Sequence, residues 1–292
     1  MLKDTQKVFG LILLALVGFI VLTATSVFAA DQDLFEIYGL EVEGHIDGFI
    51  TGDFNNDNLT DLVVIYSAHT NRYTRYLGLY LQKPTAGFRP RADYLITLPN
   101  SVAHIDVGDI DGDNIVDIAL IDSEGISIIK YSENSGLSEP KRLVSVSTIY
   151  STSYIQGIFV EPFIYQLTNR PGNELIVPTS GGYSIFNYVN NALKRTELLT
   201  APLAGHMAAV NAKDFSSKKS MELQLVIPRI KIIDGNLDGL LDIYFLWDNR
   251  VCCFFQNNEN SFGQTPDFIN FNISDDHSGD RKSTRLNSSH RL

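Results

Sequence analysis

The sequence has little of what most enzyme classes require. Its 292 residues include two cysteines, which are neighbours, Cys252 and Cys253. Adjacent strand residues point to opposite faces of a sheet, so we predict two small buried side chains, with a vicinal redox pair as the alternative. The sequence contains no Gly-x-Ser-x-Gly, no His-Glu-x-x-His and no phosphate-binding glycine loop. We therefore predict that this part of the protein is not an enzyme.

Basic residues are also scarce. The chain has 23 Lys and Arg against 34 Asp and Glu, which gives a net charge of -11. Such an acidic surface repels phosphate backbones, so nucleic acid is excluded as a partner. No segment after the N-terminal region shows helical periodicity, and short apolar runs separated by turn residues predict an all-β protein.

The two ends differ from the rest of the chain. Lys3 and Lys7 precede an apolar stretch over 8–22, and small residues near Ala29 suit a signal peptidase, so 1–29 is predicted to be a signal peptide. An uncleaved membrane anchor is the alternative. Cleavage would give a secreted, periplasmic or cell-surface protein without a membrane span. Residues 280–292 resemble a translated sequencing-library adapter, and we interpret them as an artefact rather than a basic disordered tail. The expected domain is 30–279, continuing in the natural protein.

An acidic nonapeptide occurs three times, at Asp53–Asp61, Asp109–Asp117 and Asp234–Asp242, and an apolar strand follows each copy. Calcium prefers carboxylate, amide and carbonyl oxygens, which this spacing supplies. Position six is Asn or Gly, which tolerate a left-handed backbone. Ion-free turns are the alternative, whereas the following strands exclude an EF-hand. The predicted calcium ligands are Asp53, Asn55, Asp57, Leu59, Asp61, Asp109, Asp111, Asp113, Ile115, Asp117, Asp234, Asn236, Asp238, Leu240 and Asp242, with Asp109–Asp117 expected to bind most tightly.

These loops mark a longer repeat. Asp109 follows Asp53 by 56 residues, and a loop of the same length, Gln166–Glu174, lies between the second and third acidic copies. It has lost the carboxylates of its first eight positions, so we predict that it holds no calcium. The second repeat has four strand signals, over 102–107, 117–121, 126–131 and 141–146. Four antiparallel strands per repeat are typical of a propeller blade. We predict a β-propeller with about four blades present in an open or incomplete ring. A further strand over 33–42 is expected to complete another blade.

The loops, the strands after them and the turns at Asn134–Leu137 and Asn190–Leu193 resemble FG-GAP/VCBS repeats. These repeats form the propellers of integrin α-subunits and occur in many secreted bacterial proteins. The resemblance covers about 44–274, although only Phe262 and Gly263 provide a literal Phe-Gly. It implies a calcium-binding propeller that acts in recognition or adhesion at the cell surface.

The first repeat has an extended turn over 67–75 that carries His69, Arg72, Tyr73 and Arg75. Cations and aromatic rings on an acidic domain are typical of binding surfaces. The resemblance implies that this turn lies opposite the calcium loops, on the face that receives ligands. A cell-surface protein or a polysaccharide is the expected partner, and a merely solvated hairpin is the alternative. The alternative function is the propeller scaffold of a secreted polysaccharide lyase or hydrolase.

Overall fold

The computed structural model describes residues 37–71, 73–150, 158–201, 228–247 and 250–270. The predicted signal peptide and the 280–292 tail lie outside these residues. Every regular element in the described ranges is a β-strand, which confirms the all-β prediction. Across those ranges there is no helix long and apolar enough to cross a membrane.

Within the described residues, nineteen strands form four main sheets, which we call blades 1 to 4, and one small hairpin. Blade 1 contains β1 (Gly44–Gly52), β2 (Asp61–Ala68), β3 (Arg75–Tyr80) and β4 (Tyr94–Leu98). Blade 2 contains β5 (His104–Gly108), β6 (Asp117–Asp122), β7 (Gly125–Ile129), β10 (Lys141–Ser145) and β11 (Phe159–Val160), and β8 (Tyr131–Ser132) pairs with β9 (Gly136–Leu137) beside it. Blade 3 contains β12 (Ile164–Tyr165), β13 (Glu174–Thr179), β14 (Gly182–Val189) and β15 (Ala192–Thr200). Blade 4 contains β16 (Ile230–Ile233), β17 (Asp242–Trp247), β18 (Arg250–Phe254) and β19 (Asp267–Asn270).

Each blade is an antiparallel meander, as predicted for a propeller repeat, and none of the sheets closes on itself. Blade 2 departs from four strands because β11 pairs in parallel with β5, through Phe159 opposite His104 and Val160 opposite Ile105. The polar turns between the third and fourth strands also form as expected, since Gly136 and Asn190 have positive φ angles of 72° and 52°.

Three apolar clusters lie between successive blades. Val63 and Leu77 of blade 1 pack with Ile118 of blade 2, whereas Ile121 on the other face of blade 2 packs with Val177 of blade 3. The third cluster joins blades 3 and 4 through Tyr183, Phe245, Cys252 and other side chains. Because strand side chains alternate between faces, each middle blade contributes to two clusters. This packing orders the blades side by side and fixes the loops that leave their edges.

The two cysteines and the segment before blade 1 were both predicted from the sequence. Cys252 and Cys253 are both free and buried, as expected for structural cysteines. The strand predicted over 33–42 is wrong for its described part, because residues 37–42 have no strand pairing. Leu40 and Val42 instead pack against the outer face of blade 1, and the Glu41 N–H donates to the Pro90 carbonyl at 2.6 Å. Apolar packing therefore replaces the expected ladder.

Candidate metal sites

The acidic loops connect the first and second strands of their blades. We call 53–61 loop A, 109–117 loop B, 166–174 loop C and 234–242 loop D. Position six has the expected left-handed backbone in the three acidic loops, with φ angles of 64° at Asn58, 65° at Asn114 and 87° at Gly239. Position four is also left-handed, which the sequence analysis missed: φ is 58° at Asn56, 79° at Gly112 and 63° at Leu237. Two left-handed residues curl each loop around its own centre.

The first aspartate of each acidic loop holds this curl. In loop A, Asp53 accepts hydrogen bonds from the N–H groups of Asp57 at 3.1 Å and Asn58 at 2.8 Å. Loops B and D repeat both contacts through Asp109 and Asp234, at 2.9–3.1 Å. The side chain at position five caps the N–H of position seven at 2.9 Å in all three loops. The same hydrogen bonds thus give three different sequences one loop geometry.

The ninth residue anchors each loop to its blade. Asp61, Asp117 and Asp242 are almost fully buried, and each accepts the N–H of the residue at position two, at 3.0–3.2 Å. Burial raises the pKa of Asp61 despite these hydrogen bonds, and it raises the pKa of Asp117 to about 6. A buried carboxylate is costly unless it is paired, so these anchors favour a nearby cation.

Loop B brings three carboxylates together. Oxygens of Asp109, Asp111 and Asp117 all lie within 4.8 Å of one another. Oδ1 of Asp111 is buried and has no hydrogen-bond partner among the described residues. An all-oxygen donor set with an unused buried oxygen fits a hard cation such as calcium.

The carboxylates of loop B also contact a lysine side chain from the same blade. The Lys130 ammonium lies 2.7 Å from Asp111, 3.0 Å from Asp113 and 3.3 Å from Asp117. Lys130 directly follows β7, which pairs with β6, and this pairing carries its side chain to the loop. Burial alone would lower the pKa of Lys130, but the hydrogen bonds that it donates to Asp111 and Asp113 and the nearby charge of Asp117 raise this pKa above its usual range. The ammonium therefore stays charged at neutral pH.

Loop C is closed by hydrogen bonds among its own residues. The Gln166 amide donates to the carbonyls of Thr168 at 2.6 Å and Arg170 at 3.1 Å. Glu174 takes the place of the ninth aspartate, since it accepts the Leu167 N–H at 2.8 Å and pairs with the Thr168 hydroxyl. An amide donor at its centre suits the prediction that loop C holds no calcium.

The extended turn of blade 1 divides into surface and core residues. His69 and Tyr73 are exposed, whereas Arg72 lies outside the described residues. Arg75 is only 3% exposed, and its guanidinium donates to the Val102 carbonyl at 2.7 Å. The binding role predicted for Arg75 is therefore wrong, because this side chain ties blade 1 to the segment that enters blade 2.

A cavity of about 530 Å³ lies among blades 2, 3 and 4, lined by His104, Tyr150, Phe163, Tyr183 and Arg229 among others. Both ring nitrogens of His104 are engaged, with Nδ1 2.5 Å from the Tyr150 hydroxyl and Nε2 2.7 Å from the Glu161 carbonyl. Burial lowers the pKa of His104 to about 4. This histidine is a neutral packing residue rather than a free base. No sequence pattern predicts this cavity, because its lining comes from three repeats.

Residues 53–120 match the family model described as FG-GAP-like repeat. This part of the chain is therefore similar to an FG-GAP-like repeat. The match contains loops A and B whole, β2 to β5 and the first four residues of β6, and it confirms the FG-GAP resemblance for this part of the chain. A comparison with curated proteins found no match.

Proposed function

We propose that this chain is a secreted or cell-surface recognition module whose FG-GAP-like blades are stabilised by calcium. The observation that carries the proposal is the shared geometry of the acidic loops. In loops A and D, the first aspartate accepts the N–H groups of positions five and six, and the ninth lies buried at the strand start. Each of these loops places carboxylate and amide side chains at alternate positions of one curled segment, and calcium is the common cation that such donors suit.

The residues that would hold calcium are those at positions one, three, five and nine, with the carbonyl at position seven. In loop A these are Asp53, Asn55, Asp57, Asp61 and Leu59, and in loop D they are Asp234, Asn236, Asp238, Asp242 and Leu240. Bound calcium would neutralise carboxylates that otherwise repel one another. It would thereby fix the connection between the first two strands of a blade.

The recognition surface in this proposal is the extended turn of blade 1. His69 and Tyr73 are exposed there, and 51% of the Tyr73 surface is accessible. Loop A enters β2 at Asp61 and the turn leaves β2 after Ala68, so the two features occupy opposite ends of one strand. Calcium would then support the scaffold without contacting the partner. A cell-surface protein or a polysaccharide suits the aromatic and imidazole rings of the turn.

Binding of the purified protein to immobilised polysaccharides and to intact cells tests this role. The double variant His69→Ala/Tyr73→Ala should lose binding while its calcium affinity stays unchanged. Glu133→Ala/Asn134→Ala, in the exposed turn of the β8–β9 hairpin, is the matched control and should bind normally. Equal binding by the double variant and the control would remove the extended turn as the recognition surface.

A further inference from the structure

The three acidic loops differ in the residue that faces their buried ninth aspartate. The second and third strands of blades 1, 2 and 4 pair through Leu62 with Tyr80, Ile118 with Ile129 and Ile243 with Phe254. One step further along the same register, the residue opposite the ninth aspartate is Leu81 in blade 1, Lys130 in blade 2 and Phe255 in blade 4. Of these three facing residues, only Lys130 carries a charge.

The second oxygen of the ninth aspartate shows the effect of this difference. In loop A, Asp61 Oδ1 accepts the backbone N–H of Gln82 at 2.9 Å, and in loop D, Asp242 Oδ1 accepts that of Gln256 at 3.0 Å. In loop B, the corresponding Asp117 Oδ1 lies 3.3 Å from the Lys130 ammonium. The same ammonium contacts Asp111 and Asp113, so it interacts with three of the four acidic side chains of loop B.

The ammonium and a calcium ion compete for the same oxygens. Calcium binds oxygen at about 2.3–2.6 Å, so an ion held by Asp111, Asp113 and Asp117 would occupy the space of the Lys130 nitrogen. Displacing that nitrogen would also leave a positive charge beside a divalent cation, which is unfavourable where solvent screening is partial. Lys130 is only 38% exposed, and its partners Asp111 and Asp117 are 18% and 1% exposed.

We propose that Lys130 is a tethered counter-ion that offsets part of the negative charge of loop B without calcium and lowers the calcium affinity of this loop below that of loops A and D. This inference rests on the proposed calcium binding by loops A and D. It reverses the ranking expected from the number of carboxylates, which placed loop B first. Loop C provides a parallel within the chain, because the Gln166 amide hydrogen-bonds the carbonyls of that loop. Loops B and C are then held by side chains of their own blades, whereas loops A and D depend on bound calcium.

Calorimetric titration of the purified protein with calcium tests the proposal by counting sites. The unaltered chain should show two sites of high affinity. Lys130→Met removes the charge but keeps an apolar stem of similar length, so it should add a third site whose affinity is raised about tenfold or more. Lys130→Arg retains the charge and should still show two sites. Three equivalent sites in the unaltered chain, or no additional site in Lys130→Met, would overturn the proposal.

Thermal melting gives a second readout, which distinguishes the loss of the counter-ion from a general folding defect in the variant. In EDTA, Lys130→Met should have a lower melting temperature than the unaltered chain, because its loop B carboxylates lack a counter-ion. Calcium should raise the melting temperature of the variant and remove this difference. A lower melting temperature that calcium does not restore would contradict competition at loop B, and an unchanged one in EDTA would contradict the counter-ion role. Failure of the proposed function gives a different result, since the unaltered chain would then bind no calcium at loops A and D.

Discussion

Asp122 and Arg142 form a two-bond ion pair across blade 2, with Arg142 Nη1 2.9 Å from Asp122 Oδ1 and Nη2 2.7 Å from Oδ2. Asp122 also accepts the N–H groups of Glu124 and Gly125, each at 2.9 Å, so it closes the turn between β6 and β7. Burial alone would raise the pKa of Asp122, but these hydrogen bonds and the Arg142 charge lower it below its usual value. The pair therefore links the edge strand β10 to the turn between β6 and β7.

Replacing Arg142 by Met should destabilise the protein by about 1–2 kcal/mol at pH 7, because Asp122 would lose two charge-assisted hydrogen bonds. Since the folded pKa of Asp122 lies below the unfolded value, this contribution is present above about pH 4 and is lost as the pH falls through the folded pKa. Urea unfolding at pH 7 measures the loss. Lys141→Met, at an exposed neighbouring position, is the control and should change stability little. Equal stabilities for the two variants would show that the pair contributes nothing.

Leu237 should be a site of stabilisation. It occupies position four of loop D with φ at 63° and its side chain 87% exposed, whereas loops A and B have Asn56 and Gly112 there. A left-handed backbone costs an ordinary side chain roughly 1–2 kcal/mol. Leu237→Gly or Leu237→Asn should therefore raise the free energy of unfolding by about 1 kcal/mol. Leu237→Ala keeps a Cβ atom and should gain little, so an equal gain from all three variants would refute the strain explanation.

Stability should depend on pH through His104. The pKa of this buried histidine is lowered to about 4, whereas that of an unfolded histidine is about 6.5. The unfolded chain therefore takes up the proton first, and stability should be full above pH 6.5 and fall toward pH 4. The loss attributable to His104 is on the order of 3 kcal/mol over this window. Urea unfolding between pH 7 and 4 should give a shallower slope for His104→Gln, and the unaltered slope for the exposed His45→Gln.

Much of the fold could be predicted because its signals are local. The strands predicted for the second repeat, 102–107 and 117–121 among them, correspond to β5 (His104–Gly108) and β6 (Asp117–Asp122) within a few residues. Apolar runs bounded by turn residues determine such strands directly. The left-handed position six was predictable for the same reason, since Asn and Gly tolerate that conformation. The parallel strand β11 was not, because two residues contain no pattern that specifies a partner.

The site was less predictable because it depends on pairing between distant residues. Lys130 lies 13 residues beyond Asp117 in the sequence and reaches loop B only through the register of β6 and β7. Arg75 was grouped with its exposed neighbours, but it begins β3 and turns inward to the Val102 carbonyl. His104 begins β5, and no sequence pattern indicates that it is buried against Tyr150. In each case a contact made by tertiary packing decides the role of the side chain.

Thermal melting in excess EDTA and in saturating calcium tests the central claim most directly. Calcium that binds only the folded state should stabilise it by about 2.7 kcal/mol per site at a hundred times the dissociation constant, so the melting temperature should rise with calcium. Asp53→Asn/Asp234→Asn removes one first-position charge from each of loops A and D and should abolish most of this rise. Glu133→Gln/Glu139→Gln, which also removes two negative charges but from exposed residues outside the acidic loops, should leave it intact. A melting temperature that is the same in EDTA and in calcium would contradict the account.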